Sequence, residues 1–76
     1  MEEGLEQLNQ VIANMIKECR EESGLNQKDL AQMIGSDQSL ISRLESRDHG
    51  SYDLNTLYRI FDKLNIELVV EFYEKE

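Results

Sequence analysis

From Leu5 onward, apolar residues recur at intervals of three and four: Leu5, Leu8, Ile12, Met15, Ile16 and Cys19, with acids and amides between them. That period predicts an amphipathic helix of about 18 residues with its first three positions frayed. Lys17 and Arg20 fall in its C-terminal half, where cations suit the helix dipole, and Gly24 is placed to take the left-handed conformation that ends it.

Asn26 is a good N-cap, and Asp29 three positions later reaches back in a shortened capping box, so a second helix starts at Gln27. Leu30, Ala31 and Ile34 form its inward stripe, with Ala31 small enough for close helix approach; Met33 reads as either core or surface. Gly35 stops this helix after barely two turns. Ser36 and Asp37 offer a new cap for a third helix from about Gln38 to about Arg47, with Leu40, Ile41 and Leu44 inward. Two short helices joined so closely cannot lie antiparallel with full side-chain contact, so they cross steeply, as in a helix-turn-helix.

Asp48 to Tyr52 has no apolar period and reads as a loop, with His49 as a solvated residue in it. Asp53 caps a fourth helix with the stripe Leu54, Leu57, Ile60, Phe61 and Leu64. Asn65 takes the left-handed position after it, and Tyr58 and Arg59 face outward or towards a partner. The period then changes. Ile66, Leu68, Val70 and Phe72 fall on one side and Glu67, Val69, Glu71 and Tyr73 on the other, a strand pattern over residues 66–73. A lone strand has no partner in its own molecule for its backbone groups, so the economical arrangement is a two-fold dimer in which Ile66, Leu68, Val70 and Phe72 lie at the pairing strand. A fifth helix or a frayed tail is the alternative.

The 76 residues make one small domain, of a size at which oligomerisation often supplements the core. A single cysteine, no signal peptide and no bilayer-spanning apolar run predict a cytoplasmic protein without disulfide or membrane segment. Cys19, on the apolar stripe, reads as a buried small hydrophobe, with a redox or metal role as the alternative. The net charge of −8 argues against a general nucleic-acid coat. Its distribution matters more: residues 1–22 carry six acids and two bases, residues 23–47 three of each, and residues 48–76 seven acids and three bases. The third helix presents Gln38, Ser39, Ser42 and Arg43 opposite its apolar stripe, with Arg47 one turn further. These residue types hydrogen-bond both base edges and phosphates. Neutral in sum, that stretch suits specific rather than non-specific DNA binding, while the acidic ends suit a basic protein partner.

On Arg20, Gln27, Leu30, Ala31, Gly35, Gln38, Ser39, Ile41, Ser42, Arg43, Leu44 and Glu45, continuing through LNTLYRIFDKLNI, the chain resembles the Cro/cI-type (XRE) helix-turn-helix regulators. The resemblance implies a mainly α, four-helix, lambda-repressor-like domain with the helix-turn-helix at residues 27–46; the family's usual fifth helix is missing, and the C-terminal strand expected to pair between subunits stands in its place. The resemblance assigns phosphate contact and steadying of the reading helix to Gln27, base contacts to Gln38, Ser39, Ser42 and Arg43, and a structural ion pair to Arg20 and Glu45. Lys28 and Arg47 are counted with the DNA-binding set. Two positions depart from the family pattern: Asp37 where Ser or Thr is frequent, and Arg47 where glycine is. The terminal strand looks like antitoxins of the HigA and HipB kind, which neutralise a toxin and repress their own promoter.

The expectation is therefore a dimeric transcriptional repressor of a palindromic operator, with an acidic module that binds a basic toxin-like protein as the alternative. No Cys/His pair, phosphate-cradling glycine loop or proton-transfer dyad stands at convincing spacing, so no enzymatic activity, catalytic residue, metal or cofactor is expected.

Overall fold

The computed structural model describes residues 2–46 and 53–75, the first two of them by backbone alone. Four helices follow in order: α1 (Glu2–Glu22), α2 (Gln27–Met33), α3 (Gln38–Leu44) and α4 (Leu54–Lys63). Helix α1 begins three residues before the start read from Leu5. Helix α3 ends at Leu44, before Arg47: the Ser46 N–H closes a tighter bond on Arg43 O at 3.1 Å as Glu45 turns towards α1. The expected loop from Asp48 to Tyr52, His49 included, lies outside the described residues.

Three of the helices end by the same device. After α1, α2 and α4 a residue with positive φ (Gly24 at 73°, Gly35 at 70°, Asn65 at 60°) reverses the chain. The next N–H then returns to a carbonyl in the last turn: Leu25 to Arg20, Ser36 to Ala31 and Ile66 to Phe61. Paired with the 5→2 bonds of Gly24, Gly35 and Asn65, these are Schellman ends, which satisfy carbonyls that the helix leaves orphaned. The starts are equally explicit. Asn26 Oδ1 accepts from the Asp29 N–H at 2.7 Å while Asp29 Oδ2 accepts from the Asn26 N–H at 3.1 Å, a reciprocal box. Asp37 and Asp53 cap α3 and α4.

The core gathers Ile16 and Cys19 from α1, Leu30, Ala31 and Ile34 from α2 and its end, Ile41 and Leu44 from α3, and Leu57, Ile60, Phe61 and Leu64 from α4 and its end. Cys19 is one of its small apolar members, and burial pushes its thiol up from the ordinary value. The face that α1 turns inward differs from the one read from its period. Leu5, Leu8 and Met15 are exposed, at 52%, 55% and 42% of their surface, whereas Asn9, Ala13 and Arg20 are buried. The apolar period of α1 is wider than one face: Ile16 and Cys19 are buried as the period predicts and Ile12 is half buried, while Leu5, Leu8 and Met15 lie on the uncovered side. Leu54, placed on the inward stripe of α4, is likewise exposed because the first turn projects past the core. Met33 is largely exposed.

Beyond the turn at Asn65 the chain runs on as an open segment to residue 75, with no helix and no strand among its described residues. Among those residues, backbone hydrogen bonds stop at Ile66; none involves residues 67–75. Ile66, Leu68, Val70 and Phe72, the expected dimerisation residues, are all exposed, Phe72 to 90%.

Arg59 does not simply face outward. Its Nη2 donates to the carbonyl of Ile34, the last residue before Gly35, so α4 clasps the C-terminal end of α2. A cation at that position also meets the negative end of the α2 dipole. Replacing Arg59 with Met keeps the aliphatic stem and removes the clasp; we expect a loss of about 1.5–3 kcal/mol in urea unfolding, the scale of a hydrogen bond to a charged group, with an unchanged dependence on denaturant.

Candidate nucleic-acid interface

Helix α3 owes its orientation to a buried fork. Arg20 Nε donates to Glu45 Oε2 at 2.7 Å and Arg20 Nη2 to Glu45 Oε1 at 2.9 Å, while Nη1 donates to Leu25 O at 2.8 Å. Both side chains are nearly buried, 9% and 5% exposed. Two parallel N–H···O bonds fix angle as well as distance, so the fork sets the end of α3 against the end of α1. The hydrogen bond to Glu45 holds the Arg20 guanidinium above its ordinary value, against the opposing effect of burial.

Gln27 joins the same group. Its Nε2 donates to Glu45 Oε1 at 3.2 Å, so one carboxylate oxygen receives both the first residue of α2 and the guanidinium from α1. Gln27 is only half buried, which leaves the rest of its amide towards solvent. The sequence-assigned residues Arg20, Gln27 and Glu45 thus sit in one network.

With Ile41 and Leu44 buried and Leu40 half buried, the opposite face of α3 presents Gln38, Ser39, Ser42 and Arg43 to solvent. Lys28, from the first turn of α2, is also exposed and lines a shallow cleft with Gln32, Ser36, Asp37 and Gln38. Lys28 and Gln38 therefore share one surface although they belong to different helices. Arg47 lies outside the described residues.

Asp37, the departure from the family pattern, is turned into its own helix. Its Oδ1 accepts from the Leu40 N–H at 3.0 Å and from Ser39 Oγ at 2.7 Å. The Ser39 hydroxyl, followed by the Leu40 N–H, holds the Asp37 carboxyl below its usual value, and the charge of Arg43 acts in the same direction. Part of the negative charge at the start of α3 is thereby spent within the protein. There is a consequence for Ser39: its hydroxyl proton is committed to Asp37, so outward it offers only lone pairs.

A helix-turn-helix family model matches residues 16–70, most of the chain. The chain belongs to the Cro/cI-type (XRE) helix-turn-helix family. This family consists of DNA-binding transcription regulators, generally without enzymatic activity. A search of curated proteins returns no match. The matched span of this helix-turn-helix protein begins at Ile16, inside α1, and extends into the extended segment at Val70. No helix among the described residues is long and apolar enough to cross a membrane, and no group of three or more His, Cys, Asp or Glu side chains among them is placed to hold a metal.

Sequence reasoning placed Arg59 on the surface and did not single out Asn9 or Ala13. The signal for Asn9 and Ala13 was present as the spacing of four, three and four that leads from Asn9 through Ala13 and Ile16 to Arg20. The more hydrophobic neighbouring stripe obscured it.

Two outcomes follow from this geometry. Arg20→Met strands a buried carboxylate and is expected to cost about 3–5 kcal/mol, close to the whole stability of a small domain, whereas Arg20→Met with Glu45→Leu should recover most of it; urea unfolding of the two variants measures the difference. For Asp37 the folded pKa lies below the unfolded one. Its contribution is therefore fully present above the unfolded carboxylate value, near about 3.9, and is lost as pH falls through the lowered folded value. Thermal melts between neutral and strongly acid pH should show Asp37→Ala less stable than the native protein at neutrality, with the gap closing at the acid end.

Proposed function

We propose that this helix-turn-helix protein is a sequence-specific transcriptional repressor that binds a palindromic operator as a dimer in the cytoplasm. The observation that carries the reading is the polar face of α3, with Gln38, Ser39, Ser42 and Arg43 exposed on a helix fixed at one end by the Arg20–Glu45 fork and at the other by Asp37. A rigid helix bearing short polar groups and one arginine suits the major groove, where a bidentate Arg on guanine or Gln on adenine each contributes about 1–3 kcal/mol of discrimination. Arg43 takes the guanine and Gln38 the adenine. Ser39, acceptor-only, takes an exocyclic amino group of adenine or cytosine. Gln27, Lys28 and Arg47 contact the phosphates that set register.

The acidic composition makes the dimer part of the mechanism. With net charge −8 and few cations in the reading segment, one copy gains little from phosphate neutralisation. Two copies, each with α3 in successive major grooves about 34 Å apart, double the directed contacts. In this reading the dimer forms through residues 66–73, with Ile66, Leu68, Val70 and Phe72 at the pairing strand. The seven acids among residues 48–76 support a second role on the same chain, holding a basic partner protein, as the antitoxin and autorepressor of a toxin–antitoxin pair.

Selection of binding sites from randomised DNA tests the reading. The native protein should enrich a short palindrome with half-sites about one helical turn apart, and Arg43→Ala should relax the preference at one position in each half-site. Failure to enrich any sequence would reject the repressor and leave the acidic protein-binding module.

A further inference from the structure

The core leaves uncovered the more hydrophobic stripe of α1. Leu5, Leu8, Val11 and Met15 are exposed along it, with Val11 at 58%. Beside this stripe runs the extended segment from Ile66. Val11, Met15, Leu68 and Val69 line an open groove between the two, with Ile12 and Phe61 also contributing to it. The concentration of exposure is uneven: of the thirteen exposed large apolar side chains among the described residues, ten lie on α1 or on residues 66–73. Allowing for their fractional exposure, they present on the order of 700–800 Å² of apolar surface per chain. That sum is comparable to the roughly 800 Å² that each partner contributes to a standard stable interface.

We propose that this groove is the seat of the extended segment of a second copy of this chain, so that the dimer is closed by the outer stripe of α1 as well as by the terminal segments. The inference rests on the dimeric reading above and adds α1 to it. The occupant must bring an apolar, extended stretch with free backbone donors and acceptors. Residues 67–75 are such a stretch, with no backbone hydrogen bond among the described residues. A two-fold axis near the segment lets each copy supply the strand and receive it, which makes the surface self-complementary. Backbone pairing between the two segments, along their edges, and burial of alternate side chains against α1, on one face, then occur together.

Charge separates this occupant from a basic partner protein. Two copies carrying −8 each repel one another, so an association driven by apolar burial tightens as salt screens them. A basic occupant would loosen under the same change.

Sedimentation of the full-length protein across a range of salt is the test. The native chain should be a dimer that strengthens with salt. Val11→Glu with Met15→Glu uses a helix-favouring residue at two exposed sites and should weaken self-association at least about tenfold, with helical circular dichroism and the unfolding transition retained. Leu68→Glu reaches the same groove from outside any helix and should act alike, which keeps the test decisive if the α1 variant fails to fold. Val70→Pro removes a backbone donor from the segment and should also yield monomers. If the groove variants remain dimeric while Val70→Pro does not, the segments pair without α1 and the groove proposal is overturned, with the dimeric reading intact. Groove variants that are monomeric beside a dimeric Val70→Pro would place something other than the segment on α1, which also overturns it. A native chain that is monomeric at all salt concentrations would overturn the dimeric reading and the groove together.

Discussion

The orientation of α3 and its exposed polar face depends on one buried carboxylate. Glu45 receives the Arg20 guanidinium through two bonds and the Gln27 amide through a third, so the last turn of α1, the first residue of α2 and the end of α3 meet at a single group. Each of these elements alone is weakly determined: α2 and α3 have seven residues each, below the length at which a helix is stable in isolation. A buried ion pair adds little net stability against a hydrophobic replacement. What it adds is angle, because a forked guanidinium satisfies a carboxylate in one plane only. The carbonyl of Leu25 completes the arginine and ties in the connection between α1 and α2.

The turn between the two short helices is held from the other side. Gly35 takes a left-handed conformation that lets the chain reverse in a few residues, and Arg59 from α4 clasps the Ile34 carbonyl next to it. The crossing of α2 and α3 is thus pinned at both ends by arginines from outside the motif, one at the Glu45 end and one at the turn. Between them Leu30, Ala31 and Ile41 are fully enclosed.

Electrostatics shape the surface in the same economical way. An acidic chain leaves its reading face neutral and turns the one carboxylate at the start of α3 back onto the helix N–H groups and Ser39. That arrangement lowers repulsion of phosphate and restricts Ser39 to accepting hydrogen bonds. In the proposed reading, affinity comes from a few directed contacts and less from counterion release, a balance that favours sequence preference over general attraction to DNA.

Much of this was legible in the residues themselves. Asn26 with Asp29, Asp37, Asp53, Gly24, Gly35 and Asn65 mark the helix ends by local chemistry, since caps and left-handed residues act within four or five positions. The polar face of α3 follows from its period, and the resemblance to the helix-turn-helix family named Arg20, Gln27 and Glu45. Other features were not legible, because they depend on residues distant in sequence. α1 carries two overlapping apolar stripes; Ile16 and Cys19 were legible as core, but only the packing of the rest of the chain buries Asn9 and Ala13 and leaves Leu5, Leu8 and Met15 exposed. The bond from Arg59 to Ile34 spans 25 positions and has no local signature. By itself the sequence determined where α2, α3 and α4 start and where α1, α2 and α4 stop, because caps and left-handed residues are short-range signals. Only the tertiary structure decided which face of each helix is covered, because burial depends on what the rest of the chain places against it.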